Sequence, residues 1–325
     1  MKQFLMILMT GFVLLLAGCS LFIDSGHLQN AGMLVETSID NQPWNQKGYD
    51  GLQAIEDTYN TDVFYKEEIK TKDEVRQAVD EFADKGVNLI FGNSSSYGKY
   101  FEDLSETYPG IHFVYFNGEK FAERVTSLNF NSHAMGFFAG MLAGKMSHTN
   151  QVGVIGVFDW QAEIEGFYAG VKYQDPEVKV HLNYVNDWNN KDRAMQMYDE
   201  LRNDHTDVIY PAGNAYSQKV IKRSRNDGIY TIGYIADQSE IAEQNVLTST
   251  VQDIETLYKR AAENVNEGDL RGGVLTYDFQ DDVISLGQFS PDVPESFQKK
   301  LQEEVDAYKD TGILPNEREN EQGMD

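Results

Sequence analysis

The chain has 325 residues and a formal net charge of −25 at pH 7, from 27 Lys and Arg against 52 Asp and Glu. So strong an acidic balance argues against direct contact with nucleic acid, whose phosphates would repel it. The single cysteine excludes a disulfide within one chain, and the length suits two domains of ordinary size.

The N-terminus has the pattern of a secretory signal peptide. Lys2 precedes an apolar run over residues 4–15, and the small residues Ala17 and Gly18 precede Cys19. This arrangement is similar to a bacterial lipobox, in which the cysteine receives a diacylglyceryl group after cleavage. We therefore expect a lipoprotein signal peptide over 1–18, a membrane anchor at Cys19 and a tether over 19–30. The alternative is an N-terminal transmembrane anchor with a stray cysteine.

Short apolar runs alternate with amphipathic stretches along the rest of the chain, which is typical of βαβ units and parallel sheets. The runs are apolar throughout, as expected for strands that are covered on both faces. A first set of four strands is expected before a Gly- and Met-rich helix over 134–146, and a second set of four after it. These expected strands are 32–35, 62–65, 87–91 and 111–116, then 152–157, 178–185, 207–210 and 230–234.

The predicted fold class is α/β, with two doubly wound Rossmann-like lobes joined by a multi-strand hinge. Residues 246–250 are expected to return the chain to the first set of strands. An antiparallel pair over 274–286 and a helix over 295–309 are expected to complete the second lobe. The boundaries predicted are 31–132 plus 246–270 for the N-terminal lobe, 133–245 plus 271–315 for the C-terminal lobe, and 316–325 for a disordered tail.

All three tryptophans follow predicted strands, at the edge where ligands bind in parallel sheets. Trp44, Trp160 and Trp188 are each flanked by Asp, Asn or Gln. Aromatic faces beside amides and carboxylates suit a ligand with a planar ring and several hydroxyls. The alternative is that the rings fill packing gaps and the polar neighbours cap helices.

Signals for catalysis are weak. The sequence has no Gly-x-Ser-x-Gly elbow, no phosphate-binding Walker loop and no His-Glu-x-x-His pair. Its six histidines are scattered without the spacing of metal ligands. We therefore expect neither a cofactor nor a metal, and an enzyme acting on nucleosides or sugars is the least supported class.

A motif over 35–45 is followed by Gly48 and Gly51, and further motifs lie at 135–140, 151–156 and beyond. In these motifs the chain resembles the basic membrane protein (BMP) family of lipoproteins. Because the matches lie in order along nearly the whole mature chain, chance is a poor explanation. The resemblance implies a type I periplasmic-binding fold and a solute-binding lipoprotein of an ABC importer, several members of which bind purine nucleosides.

The resemblance also implies site residues. An aromatic residue followed by Asn, which stacks on the base and bonds to it, matches Trp44 and Asn45. A second aromatic from the other lobe matches Trp188. The acidic residue near the first strand would be Glu36, and the aspartate that binds ribose would be Asp237.

Further positions either match the family pattern or depart from it. The turn at Gly213 and Asn214 matches the Gly-rich turn of the family. Asn117 stands where the family usually has Asp, and Gln252 where it usually has Lys. These two changes replace an acceptor-only group and a donor-only group with amides, which do both. They put the usual nucleoside chemistry in question while the pair of aromatic rings remains.

The departures also point to a subgroup. In the runs 149–154, 210–213 and 248–252 the chain is similar to the Med proteins of Gram-positive spore formers, which are described as positive regulators of competence. Two functions follow as expectations. The first is a lipid-anchored protein on the extracytoplasmic face that passes a nucleoside-like ligand to an ABC permease. The second is a membrane-associated regulator that uses the same fold without transport.

Overall fold

The computed structural model describes residues 27–322 and arranges them in two α/β lobes. The predicted signal peptide and Cys19 lie outside the described residues. Part of the predicted tether is wrong, because the chain from His27 onward packs on the body of the protein. His27 Nδ1 lies 2.9 Å from the carbonyl oxygen of Asn266, and the first strand begins at Asn30. No helix within 27–322 is both long and apolar enough to cross a membrane.

The first lobe is built on a six-stranded, all-parallel sheet in the order β11-β5-β4-β3-β1-β2. Its strands are Asn30–Leu34 (β1), Val63–Lys66 (β2), Val87–Gly92 (β3), His112–Phe116 (β4), Val125–Phe130 (β5) and Gly273–Tyr277 (β11). Its helices are Pro43–Tyr59 (α1), Lys72–Asp84 (α2), Gly98–Ser105 (α3) and Ile254–Glu267 (α8).

The second lobe has a six-stranded sheet in the order β12-β10-β9-β8-β6-β7, parallel except for the edge strand β12. Its strands are Gln151–Gly156 (β6), Lys179–Tyr184 (β7), Val208–Tyr210 (β8), Tyr230–Ile235 (β9), Val246–Gln252 (β10) and Ile284–Leu286 (β12). Its helices are Ser132–Met146 (α4), Ala162–Gln174 (α5), Lys191–Asn203 (α6), Ser217–Asp227 (α7) and Glu295–Thr311 (α9). The predicted fold class of two doubly wound lobes is confirmed.

The predicted lobe boundaries are wrong for two strands. β10 stays in the second lobe, where Ser249 pairs with Gly233 of β9, whereas it was expected to return to the first lobe. β11 was expected to form an antiparallel pair within the second lobe, but Val274 pairs in parallel with Ser127 of β5. The sequence of an apolar run does not reveal which sheet the strand joins, because sheet membership depends on pairing between distant strands.

Within the described residues the chain crosses between the lobes three times, at Asn131, Asp253 and Asp278. Two crossings are bonded to each other, since Asn131 Nδ2 donates to Asp278 Oδ2 (2.7 Å). The hydroxyl of Tyr308 on α9 donates to the same oxygen (2.5 Å). This cluster ties the crossing segments to the second lobe.

The helices α4 and α5 pack closely because glycines lie at their contact. A Cβ added at Gly140 would lie 2.1 Å from the carbonyl oxygen of Phe167, and one at Gly170 would lie 1.9 Å from that of Phe137. The repeated Gly-x-x-x-Gly spacing on α4 therefore serves backbone contact with α5.

The predicted disordered tail is wrong for residues up to 322, which form the helix Pro315–Gln322 (α10). Gly312 ends α9 in the left-handed conformation with a φ of 70°, and Leu314 is buried. Arg318 forms an ion pair with Glu304 of α9. An apolar anchor and a charge pair thus hold a segment whose composition alone suggested disorder.

Candidate functional site

A cavity of about 560 Å³ lies between the lobes, at the carboxyl ends of both sheets. Its walls come from the segments that follow the parallel strands of both lobes, as expected for open α/β sheets. The lining residues are Glu36, Thr37, Gln42, Trp44, Asn45, Asn93, Ser94, Ser95, Asn117, Gly118, Glu119, Asn129, Phe130, Ser132, Trp160, Gln161, Ala162, Glu163, Trp188, Asn189, Asn214, Tyr234, Ile235 and Gln252.

Trp44 is held rigidly on the first-lobe wall. It lies in the first turn of α1, whose start is favoured by Pro43 at the first helical position. The ring meets Phe116 and Phe130 edge to face, with centroid distances of 5.6 and 6.2 Å. Its Nε1 donates to the carbonyl oxygen of Asn93 (2.8 Å). These contacts fix the ring orientation before any ligand enters.

Asn45 is buried and its amide is already used within the protein. Its Nδ2 donates to Thr37 Oγ1 (3.0 Å), and its Oδ1 accepts from Asn93 Nδ2 (3.1 Å). The nitrogen is committed to the loop at Thr37, whereas Oδ1 has a second lone pair at the cavity, so the bond from Asn45 to a base stays a prediction. The residue also orients the loop that follows β1.

Asn93 is a site residue that the sequence reasoning missed. It is 3 % exposed and bonds to both Trp44 and Asn45, while its Oδ1 accepts from the hydroxyl of Tyr258 (3.2 Å). One feature of the sequence indicated a site residue here: Asn93 comes directly after β3, at the edge of the sheet where ligands bind. Its link to α8 could not be predicted, because only the tertiary structure brings Tyr258 within hydrogen-bond distance of Asn93.

The second-lobe wall carries a cluster of aromatic rings at the rim of the cavity. Trp160 stacks on Phe158 at a centroid distance of 5.3 Å, and Trp188 meets both rings edge to face. Trp160 is 69 % exposed and Trp188 is 39 % exposed. The exposed parts of these two rings form an apolar surface beside the cavity that a ligand can contact. The prediction of an aromatic residue in each wall therefore has a matching geometry at Trp44 and Trp188.

Gln42 joins the two lobes across the mouth of the cavity. Its Nε2 donates to Asn189 Oδ1 (2.7 Å), and its Oε1 accepts from Asn214 Nδ2 (3.0 Å). Asn214 Oδ1 also accepts from the backbone N–H of Trp44 (3.2 Å). Three amide side chains thus hold the lobes in contact on this side of the cleft.

We expect Gln42→Ala to open the ligand-free protein. The change removes two hydrogen bonds between the lobes, worth about 1–3 kcal/mol together, and so shifts the balance toward separated lobes. Small-angle X-ray scattering would show a larger radius of gyration than in the unmodified protein. Gln46→Ala is the matched control, because the Gln46 side chain donates to Asp50 on its own helix and makes no hydrogen bond to the other lobe among the described residues. Equal radii for both variants would contradict the role of Gln42.

Four other predicted site residues differ in their placement. Asn117 and Gln252 line the cavity, Asn117 on an exposed turn with a φ of 57° and Gln252 buried at the end of β10. Asp237 does not line it, and its carboxylate accepts from the backbone N–H groups of Ser239 and Gln288. Gly213 lies behind Asn214, with its N–H bonded to the carbonyl oxygen of Pro211 (2.8 Å). Neither Asp237 nor Gly213 is among the residues that line the cavity, and the ligand contacts expected of them stay predictions.

Charge in the cavity has one sign. Glu36, Glu119 and Glu163 line it, and no Lys, Arg or His is found among its described lining residues. The neighbouring Lys120 pairs instead with Glu102 (3.3 Å). Within 27–322, no group of three or more His, Cys, Asp or Glu is placed to hold a metal ion.

The floor of the cavity contains a strained residue. Ile235, at the end of β9, has a φ of 71°, which is unfavourable for a β-branched side chain. The N–H of Ala236 bonds to the carbonyl oxygen of Tyr234 (2.9 Å) around it. Such conformations persist where the surroundings enforce them, and they concentrate at ligand sites.

Two α/β lobes with a polar and aromatic cavity between them define the two-lobed fold of periplasmic solute-binding proteins. Solved structures share this fold, including a solute-binding protein from Conexibacter woesei (15% identity, TM-score 0.73, covering 89% of this chain and 99% of that one). A family model described as ABC transporter substrate-binding protein PnrA-like, Bmp, matches residues 28–318. The chain therefore belongs to the Bmp family.

Relatives with higher identity have regulatory names. The chain is 42% identical to the transcriptional activator protein Med of Bacillus subtilis over 310 residues, which are 95% of this chain and 98% of that protein. A crystal structure titled as a transcriptional activator of the comK gene from Bacillus halodurans is 40% identical, with a TM-score of 0.83, covering 88% of this chain and 99% of that one. Basic membrane protein A2 of Borrelia garinii is 21% identical over 92% of this chain and 91% of its own.

Proposed function

We propose that this protein is a lipid-anchored, extracytoplasmic receptor that closes on a nucleoside-like ligand and presents it to an ABC permease. The observation that carries the proposal is the cavity with a fixed ring, Trp44, in one wall and an exposed ring, Trp188, in the other. Rings from opposite lobes suit a planar base, because closure brings both onto the ligand.

The size and polarity of the cavity support a ligand of this class. A volume of about 560 Å³ falls within the usual range for small-molecule sites. Glu36, Asn117 and Gln252 supply carboxylate and amide groups that would orient hydroxyls and ring nitrogens. Family membership supports the transport role, and the motif that ends at Cys19 supports the anchor.

Tryptophan fluorescence tests the proposal, because all three tryptophans line the cavity. The purified protein would be titrated with guanosine, adenosine, inosine and uridine, and with the free bases and ribose as controls. We expect a saturable change in emission with at least one nucleoside, at micromolar concentration or below. A flat titration with all nucleosides, in a protein shown to be folded by circular dichroism, would overturn the proposal.

A second candidate function is a Med-type positive regulator of competence gene expression that acts from the membrane. Identities of 42% and 40% to two proteins named as transcriptional activators favour it. The net charge of −25 argues that such regulation would not use direct contact with DNA. A deletion strain with altered competence gene expression and normal nucleoside uptake would support this candidate. An uptake defect with normal expression would support transport.

A further inference from the structure

The side chain of Glu163 lines the cavity, and its two carboxylate oxygens differ in their hydrogen bonds. Glu163 is the second residue of α5 and is 6 % exposed. Its Oε1 accepts from Gln161 Nε2 (2.8 Å) and from the hydroxyl of Tyr234 (2.9 Å). Its Oε2 receives no hydrogen bond from the described residues, although the side chain lines the cavity. A carboxylate oxygen that lines a cavity without a partner in the protein can accept from a ligand.

The partner that Glu163 lacks is a positive charge. Glu36 and Glu119 add to the negative potential of the cavity, whose described lining holds no basic residue. The N-terminus of α5 offsets only part of this charge. Burial and the charge of Glu163 raise the pKa of Tyr234 well above its usual value, so its hydroxyl remains a proton donor. The two donors, Gln161 and Tyr234, therefore hold one oxygen of the Glu163 side chain in place, and no basic residue of the described lining pairs with it.

The aromatic walls favour the same kind of ligand. The faces of Trp44, Trp160 and Trp188 carry negative electrostatic potential, and Trp is the side chain that attracts cations most strongly. Attraction of a cation by the rings and by the carboxylates acts in the same direction. A neutral ring would gain binding free energy from stacking but not from this electrostatic attraction.

We propose that the cavity selects a planar ring that carries a positive charge, with Glu163 as its counter-ion. The inference rests on the proposed function and defines the ligand as a positively charged, ring-alkylated nucleoside. The charge preference is a property of the Glu163 carboxylate and the tryptophan faces. It is separate from the contacts that would hold the sugar.

A pair of isomers tests the charge preference directly. The uncharged forms of 1-methyladenosine and N6-methyladenosine are isomers, but at neutral pH 1-methyladenosine carries an additional proton and is a cation, whereas N6-methyladenosine is neutral. Calorimetric titration of the full chain with each should show at least about tenfold tighter binding of the cation. This comparison uses the unmodified protein, so it does not depend on a variant that folds.

Glu163→Gln identifies the group responsible. The glutamine keeps an oxygen to accept from Gln161 and Tyr234 but loses the charge, so the preference for the cation should fall to about twofold or less. Glu165→Gln is the matched control. This substitution removes the same charge from an exposed position on the same helix. It should keep the full preference.

The outcomes separate this inference from the proposed function. Equal binding of the isomers, or tighter binding of N6-methyladenosine, would overturn the charge preference and leave a nucleoside receptor. Binding of 1-methylnicotinamide, a ring cation without a sugar, with no binding of any nucleoside, would overturn the proposed function and leave the charge preference. A preference that survives in Glu163→Gln would overturn the role of Glu163.

Discussion

Replacing Gly140 with alanine is expected to lower the free energy of unfolding by about 3 kcal/mol. The new Cβ would lie 2.1 Å from the carbonyl oxygen of Phe167 and 2.9 Å from the backbone nitrogen of Val171. Both are backbone atoms of α5, so the clash cannot be relieved by turning a side chain. The helices would have to separate, although alanine is the better helix former. Urea unfolding followed by circular dichroism measures the loss.

Two other glycines calibrate this effect. Gly144→Ala is expected to cost less, because the nearest atom to its Cβ would be 3.1 Å away. Gly110→Ala should change stability by about 0.5 kcal/mol or less, since nothing lies within 4 Å of the added atom. The order Gly140, Gly144, Gly110 is the expected result. Similar stabilities for all three variants would show that α4 and α5 do not pack through these glycines.

Trp44→Ala is expected to weaken ligand binding about five- to 150-fold, because stacking a base on an aromatic ring contributes about 1–3 kcal/mol. The loss should be larger than for Trp188→Ala, because the Trp188 ring is 39 % exposed at the rim of the cavity. Trp44 is fixed by Asn93 and by Phe116, so its stacking surface needs no ordering on binding. Calorimetric titration with the tightest-binding nucleoside measures the change.

A second aromatic variant separates stacking from the hydrogen bond. Trp44→Phe keeps a ring but cannot donate to the carbonyl oxygen of Asn93, so we expect about a threefold to tenfold loss. Phe121→Ala serves as the matched control, because Phe121 is exposed and does not line the cavity. Unchanged affinity in Trp44→Ala would place the ligand elsewhere.

Much of the fold could be predicted from the sequence because its signals are local. Continuous apolar runs mark β1, β3 and β6 since both faces of these strands are buried. Their ends locate the ligand side of each sheet, which is why Trp44, Trp160 and Trp188 were predicted at the cavity. The strand β5 was missed, since its run over Val125–Phe130 contains Thr, Ser and Asn.

The sequence by itself determined the two-lobed α/β class and the edge of each sheet where a ligand binds, because periodicity and strand direction are encoded in neighbouring residues. Only the tertiary structure decided that β10 and β11 exchange lobes relative to the prediction, since strand pairing is set by distant partners. It also decided that Asn45 is committed to Asn93 while Glu163 keeps one oxygen free. The role of a polar side chain depends on which partners folding brings within hydrogen-bond distance, and the sequence composition does not reveal those partners.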